Sequence, residues 1–449
     1  MLGVLLVSVC LLAPQAPVAA RGKGGLTVTR ESLAATVLER HGHGEKGREL
    51  LDLFLKARLL ESLASQRGIQ VGQAEVAQRW RELEKRALAS GQPLAAEIER
   101  RNLTPDQFRE FLRISMLQER LTRAALGLAR SAEVSGDQQE IWLAQEMQTR
   151  GLELLPPAAG LSGIMARCGE VTVTRAEFAE FLLERLERTE LRESAWHLLL
   201  LAAIEQSMPD LAPAARARAL DEELARRRRK HEAEFPTITF EQRLGATGRT
   251  LDALRRDPSV AIAALSRAWV DRTYGPEGVR SAYEKERELF EARHGEALRA
   301  ALLFLVAGRF VNDLCPRTFE RAEEELKKHA ARLETQAEFG ELVARLSEEP
   351  TTKKQQGDLG WVTRGDARVP AELREALFHL LDTGATIPAG GRLVGPVRLA
   401  TGCALLWVSA RRASPSWEEM AERVHEELRR RFLEERMPLE SVELLSPGE

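Results

Sequence analysis

The chain has 449 residues, 44% hydrophobic and 30% charged, with 65 basic against 68 acidic side chains. That length suits about three domains able to bury their own cores, and the apolar content excludes an intrinsically disordered chain. The near balance of charge removes any general ground for a nucleic-acid or anionic-membrane partner.

Leu2–Leu12 is an apolar run of the length of a signal-peptide core, and the small residues of Val18-Ala19-Ala20 precede Arg21. Residues 1–20 therefore read as a cleaved leader, and the remainder as exported to the periplasm or cell envelope. No later stretch reaches 18 uncharged apolar residues, so no stable membrane insertion is expected. Past the leader only Cys168, Cys315 and Cys403 remain, which excludes a disulfide framework. His41-Gly-His43 reads as a solvated turn, and no metal or cofactor is expected.

A repeat organises the next part of the chain. Leu26-Thr-Val-Thr-Arg30 returns as Val171-Thr-Val-Thr-Arg175, each a short alternating strand ending on an N-capping Thr. Long apolar helices follow at about Glu45–Gln66 and Leu191–Gln206, then charged amphipathic helices near Gln73–Leu88 and Pro213–His231. Thr104-Pro105 with Gln107 marks another helix start, and its region is answered near Arg249–Arg255. Leu50, Leu51, Phe54, Leu55, Leu59 and Leu63 recur at helical spacing. These features predict a duplicated helical module, residues 21–153 and 154–296, joined by a linker at Leu154–Ser162. The basic run Arg226–Arg229 reads as a solvated helix face, not a nucleic-acid site.

Residues 297–413 change character to α+β. Leu298–Val306 is a strand candidate, helices are expected near Thr318–Leu333, Ala337–Leu346 and Glu372–Leu381, and strands at Val397–Leu399 and Ala404–Ser409. Gly357 and Gly360 mark a loop. In 414–449, Ser416–Arg436 is an amphipathic helix with a Ser416/Glu419 capping box, and Leu439–Leu445 a short strand.

The α+β part resembles the parvulin family of peptidyl-prolyl cis–trans isomerases. The resemblance rests on Phe339-Gly-Glu-Leu-Val343, Ser347-Glu-Glu-Pro350, Gly357-Asp-Leu-Gly-Trp-Val362, Pro370 with Leu373 and Leu377-Phe378, and Gly395-Pro-Val397. A helical module carrying Gly68-Ile-Gln-Val71 ahead of such a domain is similar to the exported SurA-type and PrsA-type chaperone–isomerases. The resemblance implies two helical modules, then the parvulin-like domain, with the C-terminal helix and strand returning to the first module near Leu26–Thr29. It implies two site histidines as well, but their positions hold Leu302 and Ala404. Glu349 stands at the family's acidic or Cys position, and the implied proline-pocket walls are Val362, Val369, Leu373 and Leu399.

Leu302 and Ala404 offer no hydrogen bond to a twisted prolyl amide. The expectation is a folding factor that binds unfolded or proline-containing polypeptides, with weak or no isomerase activity. An active isomerase using Glu349 and an envelope scaffold with one fixed partner stay open as alternatives.

Overall fold

The computed structural model describes residues 17–100, 103–129, 131–155, 160–313 and 315–445. The apolar run Leu2–Leu12 and the Pro156-Pro157 part of the linker lie outside them. The first half opens with strands β1 (Val18–Arg21) and β2 (Thr27–Thr29). Helices α1 (Arg30–His41), α2 (Glu45–Gln66), α3 (Gln73–Ala89), α4 (Leu94–Arg100), α5 (Pro105–Ala125) and α6 (Gly136–Arg150) follow, and strand β3 (Leu152–Leu154) closes the half. The second half begins again with β4 (Ile164–Cys168) and β5 (Val171–Thr174). It continues through α7 (Arg175–Arg185), α8 (Arg188–Gln206), α9 (Pro213–Glu234), α10 (Phe240–Ala246), α11 (Leu251–Arg256) and α12 (Pro258–Thr273).

Helices α13 (Gly275–Lys285) and α14 (Arg287–His294) lead into β6 (Ala297–Val306), α15 (Phe319–Ala330), α16 (Gln336–Leu346), α17 (Pro350–Lys353), β7 (Asp358–Thr363), α18 (Ala371–Asp382), β8 (Arg392–Leu399) and β9 (Gly402–Arg412). The chain ends in α19 (Trp417–Arg436) and β10 (Glu443–Leu444). Local chemistry sets many of the boundaries. Thr104, Ser135, Thr174, Thr239 and Thr335 each close a capping box at a helix start, satisfying amide donors that have no partner inside the helix. Among the described residues no helix is long and apolar enough to cross a membrane.

Two compact units emerge, one of residues up to Trp269 together with Arg431 onward, the other Val270–Arg430. The helical unit is where the repeat resolves. Its two small sheets have the orders β10-β1-β2 and β3-β4-β5, and a register shift falls at the equivalent point of each, Val18/Ala20 and Ile164/Ala166. Each sheet takes its edge strand from outside its own copy, β3 from the end of the first copy after α6 and β10 from the C-terminal tail after α19.

The long helices also cross over. The first half's α2 packs on β4, β5 and α7, while the second half's α8 packs on β2, β10 and α1. One core results, holding Leu38, Leu59 and Leu63 with Phe178, Leu182 and Leu199. The halves that the sequence divides at 153/154 are therefore not separate domains, because the long helix of each packs on the sheet of the other. Ion pairs join them across this seam: Arg30–Glu180 at 2.7 Å, Arg175–Glu39 at 2.9 Å and Lys46–Glu190 at 3.0 Å. The tail strand pairs with β1, placing Leu444 opposite Ala20, where the sequence expectation was the neighbouring Leu26–Thr29.

Two further expectations change. Val18–Ala20, read as the end of a leader, form β1, and Ala20 is fully buried. His41-Gly-His43 is no solvated turn. A side chain on Gly248 would collide with the His43 carbonyl, and His43 Nε2 is buried without a hydrogen-bond partner.

Burial pushes the His43 imidazole below its ordinary value of 6.5, and the Arg175 and Arg249 guanidinium groups push the same way. Burial also lowers His197, against the Glu193 carbonyl, and His41, against Glu190. A histidine lowered in the folded state lets the unfolded chain take up protons first as pH falls. Its stabilising contribution is therefore complete above about pH 6.5 and lost as pH drops from there toward the folded value. The melting temperature of the helical unit should fall between pH 7.5 and 5.5, and His43→Gln should flatten the slope. Thermal melts followed by circular dichroism would check this; an unchanged slope in the variant would assign the pH dependence elsewhere.

Candidate functional site

The sheet of the second unit has the order β7-β6-β9-β8, antiparallel throughout. Strand alternation sends successive side chains to opposite faces. On one face Ala301, Leu303 and Leu305 of β6 and Cys403, Leu405 and Trp407 of β9 meet Leu326, Phe339 and Val343 from α15 and α16. On the other, Leu298, Ala300 and Leu302 with Ala404, Leu406 and Val408 meet Val362, Val369, Leu373, Leu377 and Phe378.

Leu302 and Ala404 thus share a face in the middle of the sheet. Leu302 is registered with Leu406, and Phe304 with Ala404. Gly357 holds β7 against this point. Its carbonyl accepts from the Leu302 amide at 2.8 Å, its φ is +85°, and a Cβ there would lie 2.5 Å from the Leu302 carbonyl oxygen. No residue but glycine fits, which explains the first glycine of Gly357-Asp-Leu-Gly360. Of the loop read at those glycines, Gly357 ends a turn and Gly360 lies inside β7.

The wall residues named from the sequence come together. Val362, Val369 and Leu373 are buried, and half-buried Leu399 packs on the same cluster alongside Phe304, Leu359, Val394 and Val397. Leu302 is 7% exposed and Ala404 fully buried. Alternation along β6 would have found Phe304, two residues on from Leu302. Cys403 is no substitute for the implied histidine. It faces the opposite side, its Sγ 3.7 Å from the Phe319 carbonyl oxygen, and burial pushes its thiol up.

Glu349 has a different job. It caps α17, accepting from the Thr351 amide at 3.1 Å and from the Thr352 amide and hydroxyl, both at 2.5 Å. Burial would raise its carboxyl, but the bonds from Thr352 and Thr351 outweigh that and hold it below the ordinary carboxylate value. Its oxygens are committed to the backbone of its own loop. The adjacent Glu348 and Ser347 tie that loop to β6, Glu348 accepting from the Val306 amide at 2.6 Å and Ser347 Oγ from the Phe304 amide at 3.3 Å. No group of three or more His, Cys, Asp or Glu among the described residues is placed to hold a metal ion.

Rotation about an X–Pro bond faces a barrier of about 18–20 kcal/mol. Lowering it takes an apolar grip on the ring and polar groups arranged around the twisted amide. This face is apolar, and aliphatic side chains hold both strand positions where the resemblance implies histidine.

Residues 312–410 match the PPIC-type PPIASE domain of the rotamase family. The chain carries a PPIC-type domain. The match begins beyond β6, so the strand bearing Leu302 joins the domain through the sheet. Among solved structures, the chain is similar to the peptidylprolyl isomerase PrsA of Bacillus anthracis at 15% identity, covering 53% of this chain and 88% of that one with a TM-score of 0.24. It is similar to the foldase PrsA of Streptococcus pneumoniae at 15% identity, covering 60% and 84% with a TM-score of 0.24. It is also similar to a SurA-like chaperone structure from Campylobacter jejuni at 13% identity, covering 61% and 93% with a TM-score of 0.24. No curated protein sequence matches the chain.

Proposed function

We propose that this protein is an exported folding factor that holds unfolded polypeptides, and that its PPIC-type domain binds prolyl-containing segments without catalysing their isomerisation. The observation that carries this is the apolar face itself. Leu302 and Ala404 lie buried in one cluster with Val362, Val369 and Leu373, and Glu349 is spent on capping α17. The partly buried rim of that cluster, Phe304, Leu359, Val394, Val397 and Leu399, is the apolar area left to meet a client. A holding function needs that and no more, since affinity for an unfolded client comes from removing its exposed apolar area from water.

Export belongs to this reading. A leader cut that leaves the fold intact falls before Val18, so that β1 stays paired with β2 and β10. N-terminal sequencing of the secreted chain should start upstream of Val18; a start at Arg21 would contradict this.

Client holding is tested with a chemically denatured client diluted into buffer with the full chain. Aggregation should fall with increasing chain, and Leu399→Asp at the half-buried rim should weaken binding of a prolyl peptide about tenfold with little change in melting temperature. Undiminished aggregation at molar excess would overturn the holding function. Unchanged prolyl-peptide affinity in the variant would remove the PPIC-type face from it.

A further inference from the structure

The helical unit holds a second recessed surface, away from the PPIC-type sheet in sequence and built from one stripe each of two helices. Gln73, Val76, Ala77, Trp80 and Arg81 of α3 face Asp106, Arg109, Glu110 and Arg113 of α5 across a cleft of about 610 Å³, with Val71 at one end. The spacings of three, four and seven residues put each set on one side of its helix. Beneath lies a small apolar cluster of Val76, Leu94, Ile98, Phe108 and Leu112.

Trp80 is the anchor of this cleft. Its ring is half-buried and lies edge-on to Phe108 at 5.5 Å, and the Arg109 guanidinium lies over it, 5.0 Å from the ring centroid. The charges are arranged unevenly. Arg109 pairs with Asp106 at 2.5 Å, and Arg113 is shared by Glu110 and Glu61. Asp106 is thereby neutralised inside the site, while Glu110 shares one guanidinium with Glu61. Arg81, exposed at the lip beside Trp80, has no ion-pair partner among the described residues. The cleft thus offers an aromatic face, apolar walls and one unmatched positive charge.

We propose that this cleft binds an extended polypeptide segment that presents an aromatic or large aliphatic side chain next to an acidic one. The apolar side chain lies against Trp80, Val71 and Val76, and the neighbouring carboxylate meets Arg81. This rests on the reading of the chain as a polypeptide-binding folding factor, and it names a preference within that function: clients with acidic flanks are held more tightly than clients with basic ones.

The probe is a labelled Gly-Ser peptide without proline, carrying one Phe flanked by two Asp, compared with its twin carrying Lys in place of Asp. Fluorescence anisotropy with the full chain should show the acidic peptide binding about fivefold tighter. Arg81→Glu, at an exposed position, should leave the melting temperature unchanged and reverse the preference. Trp80→Leu, which keeps the apolar contact with Phe108, should weaken both peptides. Equal affinities for the twins, or a preference untouched by Arg81→Glu, would overturn the assignment. Binding abolished by Leu399→Asp but not by the cleft variants would place the peptide on the PPIC-type face, removing the cleft while leaving the folding-factor reading intact. Binding of neither peptide, with denatured clients still held, would likewise remove only the cleft; failure with denatured clients as well would remove both.

Discussion

Ending the chain at Arg430 abolishes the cooperative unfolding of the helical unit. The lost residues include Phe432, Met437 and Val442, all buried in the core shared by both halves. Phe432 stacks on Trp269 with ring centroids 3.8 Å apart, and the Met437 carbonyl accepts from Trp196 Nε1 at 2.7 Å. Strand β10 leaves with them, exposing the edge of β1. Deleting one large core side chain costs about 2–5 kcal/mol, so losing three exceeds much of the roughly 5–15 kcal/mol that holds a domain folded. The opposite operation is harmless to this unit. Because Trp269 and Phe432 are in contact, excising Val270–Arg430 and bridging the ends with a short Gly-Ser linker should leave it folded. Urea and thermal melts of the two deletions settle the matter; a chain ending at Arg430 that melts like the intact one would show that the tail is not part of this core.

Arg175→Ala is the second large effect, expected at about 3–5 kcal/mol. Arg175 is 1% exposed, and its Nε donates to the Gly160 carbonyl at 2.6 Å. Its Nη2 bonds to Glu39 Oε1 at 2.9 Å, tying the start of α7 to α1. Removing the guanidinium leaves Glu39 largely buried, with Arg256 its remaining cation at 3.9 Å, and strips the Gly160 carbonyl of a donor. The penalty is chiefly that of a largely buried carboxylate left with one distant cation. Arg175→Met combined with Glu39→Leu should therefore recover most of it, since apolar groups of similar size can replace a buried pair. A single variant within about 0.5 kcal/mol of the parent in urea denaturation would mean that water reaches Glu39 freely.

Much of the fold is legible in the sequence wherever a strong local pattern coincides with the tertiary one. The stripe from Leu51 to Leu63 gives α2 its observed limits, Glu45–Gln66, and the Thr174/Glu177 and Thr104/Gln107 boxes start α7 and α5 where their chemistry requires. The repeat at Leu26 and Val171 is likewise real. Its consequence is not visible in one dimension, because the exchange of α2, α8 and β3 between the copies, and the return of β10 from the tail, depend on which apolar face covers which. Hence the observed division at 269/270 rather than at 153/154 or 296/297. Short strands fare worst. Strand β1 has only Val18–Arg21 to declare it, and β7 hides behind two glycines, the first of which is there for the approach to Leu302.

The site divides in the same way. Leu302, Ala404, Val362, Val369, Leu373 and Leu399 converge as the resemblance implied, because strand alternation and the glycine spacing fix their face. The engagement of Glu349 as a helix cap depends on the Thr351 and Thr352 amides turning back toward it, a local geometry the acidic residue type does not reveal.

The decisive measurement is the cis–trans exchange rate of an Ala-Pro peptide, followed by NMR with and without the full chain. At chain concentrations where the peptide's shifts show it bound, exchange should stay near the uncatalysed rate, tens of seconds or slower. Acceleration by orders of magnitude would mean that apolar walls alone lower the barrier, and that the PPIC-type domain is an enzyme and not only a grip.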